Sequence, residues 1–444
     1  GKNNSWDNSG NPATGDSPSY SGGQLSDSTI RTWVPVTCSY NDSSSENFPQ
    51  NFGQDSTFSG RISAGGNADD NGFGDFKYAP PTGFLALCSG NLPISDDIDP
   101  AQTDDDFPKK QFGAYKYTGN SGTAVTVSTD FQADLIWIKS RDSSENHFLQ
   151  DSSRGFGNSK SLSSSATGAE GYNGGAPSSS GAQNVGATSF QAYGADWSKS
   201  TDNMIAWCWK VNGGTTVTNT EGSLDSTVQA NTKAGFSIVQ TPNFSGSCTQ
   251  GHGLDKAPEF VVHKLTASGN NWNVWHTGLS GAGYIVRLNS NVAELTASHF
   301  NSTAPTADVF SLGASLAGSG AGVAYCWHSV DGYSKFGKYE ANGNSNGPFI
   351  YTGFRPRLLV IKNITSAPNN WMVFDTARET FNPIDQNLHW DTTDTEETST
   401  DRQLDILSNG FKFRSENGTL NHPSGNTYIY MAWGDVPFKY NNTF

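Results

Sequence analysis

The chain has 444 residues, of which 34% are hydrophobic, 12% aromatic and only 16% charged. This length is too great for one core, since single cores stop growing near about 250 to 300 residues, and the aromatic content excludes a disordered chain. The net charge of −15 and the lack of a basic stripe in the sequence argue against nucleic-acid binding, and the charge disfavours attachment to an anionic membrane. No apolar run approaches the ~18 residues of a membrane span, so no membrane insertion is expected. A chain rich in Ser, Thr, Asn and Gly with aromatic strands predicts an all-β fold dense in turns.

The first segment, residues 1–95, differs in pattern from the rest of the chain. Residues 31–40 (RTWVPVTCSY) predict a strand, and the Pro80-Pro81 pair within 76–93 (FKYAPPTGFLALCSGNLP) must end one. The sequence opens at Gly1 in what we interpret as mid-domain, so we expect a preceding segment. Residues 96–111, rich in Asp and Pro, are interpreted as an exposed linker.

Three landmarks then recur in the same order three times. Each unit has an apolar strand ending in lysine, an Asn-containing strand shortly after it, and a closing aromatic strand. The landmarks are LIWIK (135–139), NHFLQD (146–151) and IAWCWK (205–210); FVVHK (260–264), NWNVWH (271–276) and VAYCWH (323–328); and LLVIK (358–362), NWMVFD (370–375) and IYMAWGD (429–435). Such self-similarity is the signature of a repeat architecture.

The repeat length matches one β-sandwich of about 100 residues, and frequent Asn-Gly pairs predict hairpin turns. We therefore predict tandem β-sandwich domains of jelly-roll-like type. Their bounds are 112–215, 216–334 and 335–444. Residues 158–190, dense in Ser, Gly and Ala, are interpreted as a long surface loop inside the first repeat.

Strand parity indicates which side chains lie in the core. Trp207 and Trp209 share one face of their strand and Ala206 and Cys208 the other, so both faces are apolar and the strand should be covered on both sides. We expect Trp209, Trp327 and Trp433 at matching positions, each filling the gap between the two sheets of its own domain. Truncating one ring should then destabilise its own domain alone. Trp272 and Trp371, which also recur, are expected in the core.

At this point the residues resemble a known class. Residues 51–54 (NFGQ) and 78–93 (YAPPTGFLALCSGNLP) resemble the C-terminal part of a SPRY-like, concanavalin-type sandwich of phage virion proteins. Residues 324–362 and 428–440 (YIYMAWGDVPFKY) resemble a module of marine phage tail or fibre proteins. The most specific parts are CWHSVDGYSKFG and GPFIYTGFRPRLLVIK. The resemblance implies that residues 1–95 are part of such a sandwich and that the protein belongs to a virion.

Candidate ligand residues are the tryptophans without a repeat counterpart, because sugar rings stack on exposed aromatic faces. These are Trp197, Trp275 and Trp390, the last in the polar segment NLHWDTTDTEET. Lys139, Lys264 and Lys362 are interpreted as strand-end lysines whose charge stays in water, because a catalytic lysine would not occur three times.

No metal, cofactor or catalytic residue is predicted. The acidic clusters Asp69-Asp70-Asn71-Gly72 and Asp96-Asp97-Ile98-Asp99 lack EF-hand spacing and are interpreted as solvated loops. The five cysteines show no CxxC spacing, and neither zinc nor disulfides are expected. There is no GxSxG or HExxH motif.

Two classes of function are compatible with this sequence. The first is a structural and adhesive virion subunit, a tail fibre or tail tip, assembled in the host cytoplasm and displayed on the particle surface. Its partners would be host surface glycan or protein, other virion proteins and copies of itself, most simply as a homotrimer with closed symmetry. The second is a glycan depolymerase with a carboxylate pair in a boundary cleft. A capsid-surface fibre or an extracellular filament built of the same modules is the remaining alternative.

Overall fold

The computed structural model describes residues 52–58, 60, 62–91, 107–171, 180–416 and 418–435. The chain divides into two compact units, Gly1–Ile94 and Ser95–Phe444. The all-β prediction is confirmed, because the described residues form 26 strands and, apart from these, only three-residue 3-10 turns. No helix among the described residues is long and apolar enough to cross a membrane.

The described part of the first unit contains no strand. Asn67 and Phe76 form an isolated antiparallel bridge, and Ser89–Asn91 form a 3-10 turn. The strand predicted at 31–40 lies outside the described residues, so the SPRY-like interpretation of 1–95 stays a prediction. Of the predicted linker, residues 96–106 lie outside the described ranges, whereas Pro108 and Gln111 are buried.

The first repeat consists of a four-stranded sheet, in the order β1-β7-β3-β4, and a three-stranded sheet, in the order β2-β6-β5. The strands are β1 Phe112–Thr118, β2 Val125–Ser128, β3 Leu135–Ser140, β4 Phe148–Asp151, β5 Gly181–Gly186, β6 Ser189–Tyr193 and β7 Asn203–Trp209. Residues 158–190 are not the surface loop that we expected, since they contain β5 and a fully buried Leu162.

The second repeat repeats this order as β10-β17-β12-β13 within an eight-stranded sheet, which runs β15-β14-β13-β12-β17-β10-β9-β8, and adds the two-stranded sheet β11-β16. The strands are β8 Val217–Asn219, β9 Ser226–Asn231, β10 Phe236–Thr241, β11 Cys248–Gly251, β12 Phe260–Leu265, β13 Asn273–His276, β14 Tyr284–Arg287, β15 Leu295–Thr296, β16 Val309–Leu312 and β17 Gly322–Trp327.

The third repeat carries the order β18-β26-β20-β21 within a six-stranded sheet, which continues through β22 and β23, and adds the three-stranded sheet β19-β25-β24. The strands are β18 Ser334–Glu340, β19 Phe349–Tyr351, β20 Pro356–Asn363, β21 Met372–Asp375, β22 Gln386–His389, β23 Glu397–Thr398, β24 Leu404–Leu407, β25 Gly410–Phe413 and β26 Thr427–Gly434.

The strand registers establish that the repeats are equivalent. Leu135 pairs with Trp209, Phe260 with Trp327 and Leu358 with Trp433. Four residues further along the same strands, Lys139 pairs with Ile205, Lys264 with Val323 and Lys362 with Ile429. The three lysines therefore lie at equivalent positions of equivalent strands, as the repeat pattern predicted.

Each repeat has a hydrophobic core of its own, which we call its private core, and also contributes to one core that all three repeats share. One face of each large sheet packs on the small sheet of its own repeat; in repeat 1 this face carries Ile136 and Cys208. The opposite face, carrying Trp137 and Trp209, joins a single core with the other two repeats. Because both faces of the central strands are buried, these strands carry apolar side chains on both faces, as their parity predicted.

Three tryptophans meet at the centre of the shared core. The ring centroids of Trp209, Trp327 and Trp433 lie 6.2, 6.0 and 5.5 Å apart in pairs and contact edge to face. The expectation that each ring fills the gap within its own sandwich is therefore wrong. The sheets of three repeats enclose these rings together, so the repeats form one body and not a row of independent cores.

Backbone hydrogen bonds join the three repeats in a closed ring, and we call each contact between two repeats a seam. The backbone N–H of Glu170 in repeat 1 donates to Thr266 of repeat 2, at 2.8 Å. Glu294 of repeat 2 donates to Ile364 of repeat 3 in the same way, and Glu396 of repeat 3 donates to Arg141 of repeat 1, at 3.0 and 2.8 Å. Each acceptor lies two residues after the repeated lysine. The third repeat thus returns to the first, and the arrangement has approximate threefold symmetry within one chain.

Candidate functional site: a polar cleft between repeats 1 and 2

Buried ion pairs follow the second landmark in two of the three repeats. Asp151 binds Arg154 at 2.6 Å, and the equivalent Asp375 binds Arg378 at 2.5 Å. Burial alone would raise the pKa of Asp375, but the Arg378 guanidinium and several hydrogen bonds hold the pKa below its usual value. His276 takes the aspartate position in repeat 2, and burial lowers the pKa of its imidazole to about 3, so that ring is neutral.

These pairs also join neighbouring repeats. The Tyr325 hydroxyl of repeat 2 donates to Asp151 of repeat 1, at 2.8 Å, and the Trp207 indole of repeat 1 donates to Asp375 of repeat 3, at 3.1 Å. Both donors occupy the same position of the closing strand, two residues before the central tryptophan. The buried charges therefore orient one repeat against the next.

At the seam between repeats 1 and 2 a polar cleft of about 380 Å³ opens over the Asp151–Arg154 pair. Repeat 1 contributes Arg154, Lys160 and Glu170, and repeat 2 contributes Asp225 and Gln240 on the opposite side. Four residues with hydroxyl groups also line the cleft, Ser153, Thr227, Thr241 and Thr266, together with Pro242, Ala321 and Gly322. The volume lies within the range of small-molecule sites, about 300 to 1,000 Å³.

The floor of the cleft is rigid because Arg154 is fully engaged. Its guanidinium donates to Asp151, to Glu170 at 2.7 Å and to the Lys160 carbonyl at 2.8 Å. Lys160 Nζ lies 3.3 Å from the second Glu170 oxygen, and the Gln240 amide donates to the Ser153 carbonyl across the seam. The exposed Asp225 and Thr227 stand at the rim.

Comparison of the seams explains why this cleft is open. At the seam between repeats 3 and 1, Arg141 occupies the position equivalent to Thr266, and its guanidinium binds Glu396 at 2.5 Å. Glu396 also accepts from Arg378, at 2.7 Å. Thr266 is too short to fill the same space. The seam between repeats 2 and 3 has the apolar Leu279 and Ile364 at the positions of Arg154 and Thr266.

A second depression, lined by residues 243–248 and their neighbours in repeat 2, is larger and shallower. Its lining includes no charged side chain, whereas the cleft is lined by Arg154, Lys160, Glu170 and Asp225.

The structure does not expose the three tryptophans that the sequence suggested as ligand residues. Trp390 is 1% exposed, Trp197 0% and Trp275 8%. Trp390 stacks on Trp137 of repeat 1 with ring centroids 4.1 Å apart, so the polar segment around it covers a seam and not a binding site. None of the three offers a free face to a sugar, and the expectation of exposed rings is corrected.

The repeated lysines are also placed differently from our expectation. Lys139, Lys264 and Lys362 are fully buried, and burial lowers the pKa of each ammonium group to about 8. Each Nζ donates to the carbonyl of the next residue in its own strand, at 2.6 to 2.8 Å. The charge does not reach water, because the neighbouring repeat covers the strand end. Thr167 of repeat 1, for example, accepts from Lys264 of repeat 2.

The acidic cluster in the first unit has a structural role. Asp69 is 7% exposed and accepts from the backbone N–H groups of Asn71, Phe73 and Ala86 and from the Asn91 amide. Burial alone would raise the pKa of Asp69, but these hydrogen bonds hold it low. Asp69 is therefore buried and not solvated as expected, whereas Asp70, Asn71 and Gly72 of the same cluster are exposed, as the solvated-loop interpretation predicted. The second cluster, 96–99, lies outside the described residues, and among the described ones no group of side chains could hold a metal ion.

Four of the cysteines fall within the described residues and all are free thiols; Cys208, Cys248 and Cys326 are buried, and Cys88 is partly exposed. Cys208 and Cys326 occupy equivalent positions, as the repeat pattern predicted, and burial raises the pKa of both thiols.

Sequence reasoning did not find the cleft residues. Arg154 and Glu170 lie 16 residues apart, and Asp225 and Gln240 belong to the next repeat. The one available signal was the motif Asp-x-x-Arg after the second landmark, which occurs at 151–154 and 375–378 and is absent at 276–279.

The fold and its seams define a closed three-repeat all-β module. The family described as "Domain of unknown function (DUF7483)" matches residues 107–437, which begin just before β1 and end just after β26. The chain belongs to this family. No curated protein and no solved structure matches the chain.

Proposed function

We propose that the protein is a structural and adhesive subunit of a phage virion, a tail fibre or tail tip, that binds host surface glycan. The observation that carries the adhesive role is the polar cleft between repeats 1 and 2. Its lining combines fixed donors, fixed acceptors and several hydroxyl groups in a volume suited to a short oligosaccharide. Support for the virion comes from the resemblance of residues 324–362 and 428–440 to phage fibre modules.

The cleft fits a polyhydroxylated ligand better than an apolar one. Lys160 and Gln240 present donors, while Glu170 and Asp225 present acceptors, so neighbouring hydroxyls of one sugar can donate and accept at once. Because the Arg154 network already holds the floor in place, binding orders few protein side chains and costs little entropy.

A binding experiment with the full chain tests this role. Host surface polysaccharide fragments are titrated into wild type and into the rim variants Asp225→Asn and Thr227→Ala. We expect at least about fivefold weaker binding for the variants, because both side chains line the cleft but are exposed and leave the core untouched. Asp308→Asn, an exposed carboxylate outside the cleft, is the matched control. Equal affinities in all four proteins would refute the cleft as the site.

A glycan depolymerase is the second candidate, because Glu170 and Asp225 approach one cleft from two repeats. Both Glu170 oxygens are engaged by cations, however, and this arrangement suits a fixed charge better than a proton donor. Release of reducing ends from host polysaccharide by wild type, abolished in Glu170→Gln, would establish the enzyme. Repeated failure with the correct host polysaccharide would leave binding as the function.

For the assembly we propose a homo-oligomer, a trimer, on the virion surface with other virion proteins as neighbours. The internal threefold closure already supplies, within one chain, the lateral contacts for which a trimer was expected. A trimer must therefore use the outer surfaces of the repeats or the first unit. Light scattering at micromolar concentration tests the oligomer, and a monodisperse monomer would remove this proposal. Mass spectrometry of purified particles separates a tail fibre from a capsid-surface fibre or an extracellular filament.

A further inference from the structure

The outer face of the small sheet in repeat 3 carries exposed aromatic side chains. On the edge strand β19, Phe349 is 45% exposed and Tyr351 is 62% exposed, while Ile350 between them is buried in the private core. Alternation along the strand places both rings on the outer face, about 7 Å apart. We call Phe349, Tyr351 and their cross-strand neighbour Lys412 the aromatic face.

The equivalent sheets of the other repeats show that the fold does not require these rings. On the face away from the private core, repeat 1 has Thr126 opposite Gln191, and repeat 2 has Thr249 opposite the buried Ser311. The inward residues are apolar in the small sheets of repeats 1 and 3, and in repeat 2 they are apolar except for the buried Gln250. In repeat 1 the outer face carries the partly buried Tyr193 at the end of β6, whereas repeat 3 presents two largely exposed rings on one strand, and packing within the chain does not account for that exposed pair.

Two glycines, one on the neighbouring strand β25 and one just after β19, leave room for the rings. Tyr351 pairs with Gly410 and Phe349 with Lys412. A Cβ at Gly410 would lie 2.1 Å from the Ile350 carbonyl oxygen and 3.0 Å from a Phe349 ring carbon, so only glycine lets β19 and the Phe349 ring lie this close to β25. The Tyr351 ring similarly lies over Gly353, with its hydroxyl oxygen 3.6 Å from the position of a Cβ. One face of each ring therefore lies on the backbone, and the other face points outward.

The charge beside the rings is basic in an otherwise acidic chain. Lys412 stands opposite Phe349, its Nζ held at 2.6 Å by the Gly347 carbonyl. Arg414, two residues further along the chain, is paired with Asp405, and its side chain is 48% exposed. Asp405 lies opposite Lys412 on β24 and is paired with Arg414, so a ligand on this face meets two ring surfaces beside the Lys412 ammonium group, in a chain whose net charge is −15.

We propose that the aromatic face binds a carbohydrate chain bearing anionic groups, as a second glycan site separate from the cleft. Sugar C–H groups would stack on Phe349 and Tyr351, and a carboxylate or sulfate on the chain would pair with Lys412. A second copy of the protein is a poorer occupant, because two rings contribute at most roughly 500 Å² and a stable interface buries about 1,200 to 2,000 Å². The inference rests on the proposed adhesive function and assigns its ligand class.

The test uses calorimetric titration of the full chain with polygalacturonate oligosaccharides as the anionic probe and cello-oligosaccharides as the neutral probe. The variants are Phe349→Thr and Tyr351→Thr, which install the residue type found in repeats 1 and 2, and Lys412→Gln. Val217→Thr, which replaces a methyl group of another exposed apolar side chain on an edge strand by a hydroxyl group, is the matched control. All four sites lie at the surface, and thermal unfolding verifies the fold of each variant.

We expect at least about tenfold weaker binding of the anionic probe to either aromatic variant and unchanged binding to the control, since loss of one stacked ring removes one of two stacking surfaces. Lys412→Gln should reduce affinity for the anionic probe more than for the neutral one. Wild-type binding that the aromatic variants leave unchanged, but that Asp225→Asn in the cleft reduces, would overturn this inference and leave the proposed function standing. Absence of wild-type binding to either probe would also overturn it, as would an oligomer that dissociates in the aromatic variants.

Discussion

Single residues acquire their properties in this protein from the neighbouring repeat. A strand-end lysine is normally a solvated charge with a packed stem. In Lys264 the ammonium group is instead enclosed, with carbonyl partners at Leu265, Ser268 and Thr167 of repeat 1. The same position is buried in all three repeats, so three positive charges lie in the seams of a chain whose net charge is negative.

The buried lysines predict a specific pH dependence of stability. Burial lowers the pKa of Lys264 from 10.5 to about 8, so between pH 8 and 10.5 the unfolded chain binds more protons than the folded one at this site. Stability from this site therefore rises with pH across that window. Relative to Lys264→Met, which cannot titrate, wild type should gain up to about 3 kcal/mol in free energy of unfolding across the same window.

Chemical denaturation at several pH values, from neutral to the upper end of that window, measures this difference. Thiols and tyrosines titrate in both proteins alike, so their effects cancel in the comparison. A difference that stays constant across the range would show that the Lys264 charge is solvated in the folded protein.

At the scale of elements, the repeats show how much can be read from local patterns. The landmark strands, the alternation of their side chains and the equivalence of Lys139, Lys264 and Lys362 were predictable, because alternation and landmark spacing are local properties of the chain. Which surface covers the outer face of a strand was not predictable. The apolar pattern of β7 is the same whether Trp209 fills its own sandwich or a core shared by three sheets.

The residues of the candidate site could not be identified from the sequence for the same reason. Trp390 lies in a polar segment, yet a seam buries it against Trp137. The cleft residues Arg154 and Asp225 become neighbours only through the packing of two repeats. An exposed pair on β19 was hidden because Phe349 and Tyr351 look like ordinary core aromatics in the sequence.

The turn after β21, which carries Arg378, supplies a second prediction. In Arg378→Leu the buried Asp375 loses its cationic partner, and we expect a loss of about 3 to 5 kcal/mol in free energy of unfolding. Repeat 2 carries His276 and Leu279 at these two positions and packs without the charges. The double variant Asp375→His with Arg378→Leu should therefore be more stable than Arg378→Leu alone, as denaturant unfolding can measure. A double variant less stable than Arg378→Leu would show that the unpaired Asp375 carboxylate is not the cause of the loss.

At the scale of the whole molecule, the cyclic seams make the three repeats one cooperative body. Each repeat has a private core, but all three large sheets turn their other faces to the same centre. Removing any one repeat would expose apolar surface of the remaining two. The family match across residues 107–437 spans this whole body and not one repeat, in agreement with a unit that folds together.

Trp433→Ala provides the sharpest test of that cooperativity, since this ring belongs to repeat 3 but contacts Trp209 and Trp327. A large-to-small change in a core costs about 3 to 5 kcal/mol. The free thiols of Cys208 in repeat 1 and Cys326 in repeat 2 are fully buried, so each reports the opening of its own repeat. Thiol labelling, resolved by mass spectrometry of the labelled peptides, should accelerate at both cysteines in Trp433→Ala. Trp197→Ala, a truncation in the private core of repeat 1, should accelerate Cys208 more than Cys326. If Trp433→Ala leaves both labelling rates at their wild-type values, the three repeats unfold independently, and the shared core contributes nothing to their cooperation.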